Sequence, residues 1–428
     1  MVKSIAVLSL ILLLLFSGRG MAYALGSSAL VAFLITDSLR FLAAAPQRIF
    51  FQLDVFAIMA MPLFILAGEL MNRAGVTRAL IDFSMLLLGR LRGGLGHVNI
   101  MTSVFFAGIS GSAAADIAAL TNTFVPQMER HGYDRYYAGA LTAAASVIAP
   151  IIPPSIILIM YGAITSTDVA ALFVAGIIPG LLLALSLFIT NAIIAHREGH
   201  PGGADAVLPS TWPTLRRALP ALSLPAIILG GIVFGLTTPI EAGALACCAA
   251  LVLGFWYRDL NWADVGESLE RTAQLTGSIF MIIAGTSLLS YLLVLHQIPE
   301  ALVDMVTAFH LEGVWFVLMI MLVFIIMGMT FDFMLGLLVV VPLLAPIAVA
   351  QGTHPVALGV LICINIAIGL ITPPMGEGLL MVSTITGQRY WALCMRGLPF
   401  VLAEVAVLLI LTFFPEIILF LPRMMGML

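Results

Sequence analysis

Two short stretches of small and hydroxyl-bearing residues, together with two proline pairs, are where this chain could gather oxygen atoms around a cation. The first stretch reads Gly108-Ile109-Ser110-Gly111-Ser112-Ala113-Ala114-Ala115-Asp116, and the second Gly328-Met329-Thr330-Phe331-Asp332. Hydroxyls, carboxylates and freed carbonyls are hard ligands suited to a hard cation such as Na⁺, and small residues let a ligand approach the backbone. An Asp inside an apolar segment costs about 2.5–3.5 kcal/mol on insertion scales, so it needs a partner, and a cation supplies one. The proline pairs lie in Ala149-Pro150-Ile151-Ile152-Pro153-Pro154-Ser155 and Gly369-Leu370-Ile371-Thr372-Pro373-Pro374-Met375. Consecutive prolines remove amide donors and expose the carbonyls of the preceding turn, which can face a cation. The helices that resume after each break begin with free N–H groups, which favour an anion such as a carboxylate. The candidate substrate positions beside these tips and breaks are Gly111, Pro153, Ser155, Pro373 and Gly376. Glu69, Asp116, Glu241, Glu377 and Glu404 also lie in or near apolar segments. Glu69 and Glu241, at span ends, read as structural pairs, whereas Asp116 and Glu377 follow the candidate sites.

The elements that must position these groups follow from composition. Of 428 residues 62% are hydrophobic and 9% charged, with a mean hydropathy of +1.15; soluble domains carry about 25% charged residues. The net charge of −4 offers no basic surface for nucleic acid. The class is an all-α polytopic protein of the lipid bilayer, because apolar runs long enough to cross it as helices recur throughout. Ten spans are expected at 4–17, 21–37, 53–72, 138–163, 170–195, 218–235, 239–257, 273–294, 356–386 and 397–422. Lys3, the run from Ile5 to Phe16 and Ala22-Tyr23-Ala24 imitate a cleavable leader, but a retained first span is the preferred reading. The four Cys lack metal-ligand spacing and read as packing residues.

Two apolar stretches, 97–128 and 314–349, are interrupted by small or polar residues and read as hairpins. The first is flanked on both sides by Arg, so both its ends are expected in the cytoplasm. The second has no Lys or Arg beside it and is expected to enter from outside. With both termini outside, 14 cations fall inside and 4 outside. Laying 101–180 over 321–400 without gaps aligns Gly108 with Gly328, Pro126 with Pro346, and Pro153-Pro154 with Pro373-Pro374. Eleven positions of the two segments are then identical. Two copies, each a hairpin followed by a broken helix and entering from opposite sides, are the inverted-repeat signature of secondary transporters.

These residues resemble the large membrane subunit of tripartite ATP-independent periplasmic (TRAP) transporters, the DctM-like family. The likeness is carried by MPLFILAGELM at 61–71, GISGSAAAD at 108–116, APIIPPS at 149–155, GLTTPIEAGA at 235–244 and NIAIGLITPPMGEGLL at 365–380. It implies sodium symport of a small organic acid: a C4-dicarboxylate, sialic acid, or a related sugar or keto acid. It also implies a bacterial inner-membrane location, a separate four-span small subunit, a periplasmic substrate-binding protein and an elevator motion. No cofactor is expected beyond sodium as the coupling ion. Carried over by motif, one sodium site would use Ser110 and Ser112 with carbonyls around Ala149, Ile151 and Pro154. The other would use Thr330 and Asp332 with Gly369, Thr372 and Met375. The chain then divides into scaffold spans at 1–72; an arm helix, hairpin and broken helix at 73–165; scaffold spans at 166–272; a span, hairpin and broken helix at 273–390; and a C-terminal span at 391–428. The alternatives are a stand-alone sodium/dicarboxylate symporter and an intramembrane enzyme. The latter is disfavoured because the seven His fall in loops or at span ends, leaving no base beside Ser110.

Overall fold

The computed structural model describes residues 21–201, 208–298, 312–330, 334 and 336–428. The expected first span at 4–17 and the site candidate Asp332 lie outside the described residues. Everything described that is regular is helical. In chain order the helices are α1 (Met21–Ile35), α2 (Ala45–Leu53), α3 (Ala60–Arg73), α4 (Val76–Leu88), α5 (Gly94–Ser110), α6 (Ala113–Arg130), α7 (Arg135–Ala145), α8 (Ile156–Thr165) and α9 (Val169–Arg197). They continue with α10 (Thr211–Val233), α11 (Pro239–Tyr257), α12 (Trp262–Leu295), α13 (Val314–Thr330), α14 (Val341–Ala350), α15 (Pro355–Gly369), α16 (Glu377–Thr386), α17 (Tyr390–Phe413) and α18 (Glu416–Met424). Among the described residues six helical segments are long and apolar enough to cross a membrane: Phe56–Arg73, α9, α10, α11, α12 and α17.

The repeat expected from the sequence recurs in the element boundaries. In the alignment that lays 101–180 over 321–400, helices α5 and α13 coincide at both ends. Helices α6 and α14 coincide at their ends, and α7 and α15 at their starts. The second halves of the broken helices, α8 and α16, and the spans that follow, α9 and α17, agree at their starts to within a single position. Both Pro153-Pro154 and Pro373-Pro374 are cis. The expected span at 138–163 is thus two helices parted at Ser146–Ser155, and that at 356–386 is two helices parted at Leu370–Gly376. The arms of hairpin 1, α5 and α6, have 17 and 18 residues. Each is about 26 Å long, slightly less than the roughly 30 Å hydrocarbon core.

Packing sorts the helices into two groups. In one, α1 crosses α12 closely enough that a Cβ on Gly285 would lie 3.0 Å from Gly26 N. Helix α3 packs on α11 and α12, and α10 on α4 and α11. The other group holds the hairpins and broken helices, which interlock across the repeat. Helix α16 lies on α6 of the opposite hairpin, and α8 lies on α14. Tyr161 Oη donates to the Pro355 carbonyl (2.9 Å) and Cys363 Sγ to the Pro150 carbonyl (2.9 Å), tying the two broken helices together.

The sequence grouped 166–272 as one set of spans. In the structure α9 packs instead on α5, α8, α15 and α17. Its Gly176 and Gly180 receive the first break, with virtual Cβ atoms 2.4 Å from Ile151 O and 2.4 Å from Ile152 Cγ1. Hydropathy shows that a helix is apolar, not which neighbour its small-residue face receives. At one end of this group Arg396 of α17 bridges Asp134 (2.9 Å) before α7 and Glu198 (2.5 and 3.0 Å) after α9.

The hairpin-to-break contacts allow no side chain. A Cβ on Gly369 would lie 2.6 Å from Gly328 Cα, a backbone atom that cannot rotate away. Gly369→Ala is therefore expected to destabilise the detergent-solubilised protein by about 1–3 kcal/mol, the usual cost of overpacking. Gly230→Ala, in the last turn of α10 with nothing within 4 Å of the new methyl, is expected to be neutral or to stabilise by up to about 1 kcal/mol. Thermal unfolding midpoints of the two variants check both signs.

Candidate functional site

The tip of hairpin 1 is built by three consecutive residues with different tasks. Ser110 closes α5, Gly111 turns the chain in the left-handed region (φ 57°), and Ser112 caps α6 by accepting from Ala115 N (3.4 Å). Gly111 is required here twice over: its φ is positive, and a Cβ would lie 2.3 Å from the Pro154 carbonyl oxygen. Gly108 faces the Pro153 carbonyl (virtual Cβ 3.8 Å) and Pro225 of α10 (2.9 Å). The tip of hairpin 1 therefore rests on the first break. Ser110 Oγ donates to Asp116 Oδ1 and accepts from Ser112 N (3.3 Å).

Within the first break Ala149 and Ile151 are fully buried. The Ile151 carbonyl faces Gly176, and the Pro154 carbonyl faces the tip. Ser155 caps α8 through Leu158 N (3.2 Å) and donates to the Pro150 carbonyl, so its hydroxyl is already engaged. The second tip and break meet in the same way. Gly328 abuts Gly369, and Met375 N donates to the Met329 carbonyl (3.2 Å). Thr330 Oγ1 donates to Ile326 O (2.9 Å) and Thr372 Oγ1 to Ile368 O (2.6 Å); each hydroxyl keeps lone pairs for a further contact. Gly376, in the left-handed region (φ 40°), starts α16, and the Pro374 carbonyl accepts from Tyr390 Oη (3.1 Å).

A cavity of about 320 Å³ joins these parts to the other helix group. Ser110, Gly111, Ser112 and the first turn of α6 line one side, with Ile156 and Ile157 at the start of α8 and Glu377 and Gly378 at the start of α16. The opposite wall comes from α3 (Ile65, Gly68, Glu69, Asn72) and α12 (Leu275, Ser278, Ile279, Ile282). The first turns of three helices thus meet one cavity, and their N–H groups and dipoles favour negative charge. No Lys or Arg lines it among the described residues.

Of the five substrate candidates, Gly111 lines this cavity; Pro153, Ser155, Pro373 and Gly376 do not, although Ile156 beside Ser155 and Glu377 beside Gly376 do. Sequence reasoning missed Asn72, Ser278 and the α12 wall. Asn72 carried the one available signal, an amide at the polar end of an apolar run. Glu69 pairs with Arg271 (3.0 Å) and Glu241 closes a capping box with Thr238, both in the structural roles expected for them. Glu404 is buried in α17 away from the cavity lining, and neither of its oxygens has a hydrogen-bond partner among the described residues.

Paired hairpins and broken helices around a cavity, in a chain this apolar, define a multi-pass membrane transporter. The chain belongs to the DctM family of tripartite ATP-independent periplasmic transporters, large permease subunits: the family model "Tripartite ATP-independent periplasmic transporter, DctM component" matches residues 8–417. It is 35% identical over 412 residues to the sialic acid TRAP transporter large permease protein SiaM of Vibrio cholerae, covering 96% of both chains. It is 36% identical over 392 residues to the C4-dicarboxylate TRAP transporter large permease protein DctM of Pseudomonas aeruginosa, covering 91% of both. Its fold resembles the crystal structure of the Alcanivorax borkumensis YdaH transporter, with a TM-score of 0.64 at 15% identity, over 96% of this chain and 97% of that one. These relatives are transporter components and not enzymes.

The tip-to-break contact can be tested separately from backbone strain. Gly111→Ala adds a methyl against the Pro154 carbonyl, whereas Gly387→Ala has the same positive φ (68°) with nothing within 4 Å. Each pays roughly 1–2 kcal/mol for the left-handed conformation. Uptake by the reconstituted system is expected to fall at least tenfold for Gly111→Ala and to stay within about threefold of wild type for Gly387→Ala, at matched protein levels.

Proposed function

We propose that this chain is the translocating subunit of a bacterial inner-membrane importer that carries a small organic acid inward by sodium symport. It would receive that acid from a periplasmic binding protein and work beside a separate four-span membrane subunit. The observation that carries this reading is the single cavity shared by hairpin 1, the first turns of three helices and the α3–α12 wall. A carboxylate would sit at the helix N-termini, where fixed N–H groups replace the missing Lys or Arg. The remaining wall is apolar (Phe106, Ile117, Ile156, Leu370 and Met381 among others) and suits the body of a small acid. The relatives' names, sialic acid and C4-dicarboxylate, support an organic acid as the class. Being components of tripartite systems, they leave the stand-alone symporter without support.

Sodium would be cargo in this scheme. The donors at hairpin 1 fit it: Ser110 and Ser112 flank Gly111, whose backbone meets the Pro154 carbonyl, and a buried Asp116 oxygen there has no hydrogen-bond partner among the described residues. At the second site Gly328 and Met329, just before Thr330, meet Gly369 and Met375 of the break that holds Thr372, and Asp332 would complete the set. The moving body in an elevator motion would be the hairpins and broken helices with α9 and α17, because those helices pack as one interlocked group. The group built on α1, α3, α11 and α12 would stay fixed. The cavity wall carries Asn72 and Glu69, at the end of α3 that its Arg73 assigns to the cytoplasm, so this conformation would be inward-facing.

The experiment is uptake in proteoliposomes holding this chain with its small subunit and binding protein, against a panel of organic acids. Uptake is expected to require an inward sodium gradient and no ATP. Uptake unchanged when choline replaces sodium on both sides would remove the symport reading.

A further inference from the structure

Two helix starts meet on one side of the cavity. A Cβ on Gly111, just before the cap of α6, would lie 3.5 Å from Cα of Ser155, the cap of α8. The first bonds inside these helices are Asp116 N to the Ser112 carbonyl (3.1 Å) and Ile159 N to the Ser155 carbonyl (3.1 Å). Of the N–H groups that precede them, the Ser112 and Ser155 hydroxyls take those of Ala115 and Leu158. The amides of Ala113, Ala114, Ile156 and Ile157 are left over for a ligand, and all four residues line the cavity. Four donors at one place match the two oxygens of a single carboxylate. The third helix start is already supplied. At α16 the Gly378 amide is committed to the Leu370 carbonyl (2.7 Å), and Glu377 puts a carboxylate in the first turn. Helix α6 also carries an acid there, Asp116, whereas α8 carries none.

A second carboxylate finds no such place. Of the 18 cationic side chains only Lys3 and Arg19 lie outside the described residues, and none of the others lines the cavity. The cations carried by the opposite wall are already paired: Arg271 of α12 with Glu69 (3.0 Å), and Arg73 of α3 with Glu267 (2.7 Å). What that wall turns to the cavity is the Glu69 carboxylate, the Asn72 amide and the Ser278 hydroxyl. The sodium sites proposed above lie at the tips and breaks, so they add no charge to the α3–α12 side. A hydroxyl or amide of a ligand can be met by these groups, whereas a second ionised group would be desolvated beside acids with no cation to balance it.

We propose that the cavity seats one carboxylate only, so that this chain carries monocarboxylates with an uncharged body and discriminates against dicarboxylates of the same size. The seat is the pair of helix starts at α6 and α8, and the discrimination comes from the α3–α12 wall, where Glu69 stands and no unpaired cation does. Of the two substrate types named for the relatives, the sialic acid type fits this charge pattern and the C4-dicarboxylate type does not. This inference rests on the organic-acid reading above and narrows it.

The test is ligand titration of thermal unfolding on the full chain with its small subunit in nanodiscs, without the binding protein, whose own preference would otherwise enter. Sodium and ionic strength are held constant, and neutral pH keeps every carboxylate ionised. The probes are pairs matched in size, succinate with succinamate and glutarate with glutaramate, in which an amide replaces one carboxylate, together with sialic acid. Half of the midpoint shift is expected at a concentration at least tenfold lower for the best monocarboxylate than for either dicarboxylate. A dicarboxylate that acts at an equal or lower concentration than every monocarboxylate overturns the inference and leaves the organic-acid reading standing. A protein that responds to none of the five removes the organic-acid reading itself. Asn72→Arg adds a cation to the wall at the last turn of α3, where a helix tolerates positive charge. It is expected to cut the preference for the monocarboxylate of each pair at least tenfold. An unchanged preference in that variant overturns the wall as the source of discrimination.

Discussion

In an apolar medium a backbone that leaves the helix must find its hydrogen-bond partners within the protein, and among the described residues this chain leaves the helix at the first hairpin tip and at both breaks. Each departure is packed against another. The Pro154 carbonyl lies on Gly111, Met375 N bonds the Met329 carbonyl, and Gly328 lies on Gly369. The Pro150 carbonyl takes hydrogens from Ser155 and Cys363, and Gly378 N reaches back to the Leu370 carbonyl (2.7 Å). Tip and break are each other's solvent. This explains the glycines at the contacts, Gly111, Gly328 and Gly369: a side chain there would separate the backbones that satisfy one another.

The same constraint binds the two repeats together. A break exposes the start of its second half-helix, and that half-helix must be covered. Helix α16 is covered by α6 and α8 by α14, so each half of the chain completes the other. The covering brings the first turns of α6, α8 and α16 to one cavity. A site with no cationic side chain among its described lining residues acquires anion-binding character from geometry that neither repeat has alone.

The division of labour within the family follows from this arrangement. The tips and breaks meet through backbone and small side chains, with little room to vary. The apolar wall residues and the α3–α12 face are side-chain positions free to change shape and polarity. Relatives named for sialic acid and for C4-dicarboxylate, at 35% and 36% identity, fit a constant frame with a variable wall.

By itself the sequence determined the membrane class, the internal doubling, both hairpins and both broken helices. These depend on local chemistry: the length of apolar runs, the left-handed glycines and the proline pairs act over short stretches of chain. It also located the tip and break residues that the structure brings together, because a polar or conformationally odd residue in an apolar run is conspicuous in one dimension. The tertiary structure decided the rest. It seated α9 on the first break through Gly176 and Gly180, supplied the α12 wall, and engaged the Ser155 hydroxyl with the Pro150 carbonyl. Those outcomes depend on which apolar faces fit which neighbours. Leu, Ile and Ala faces look alike to hydropathy, and only three-dimensional shape distinguishes the partners they accept.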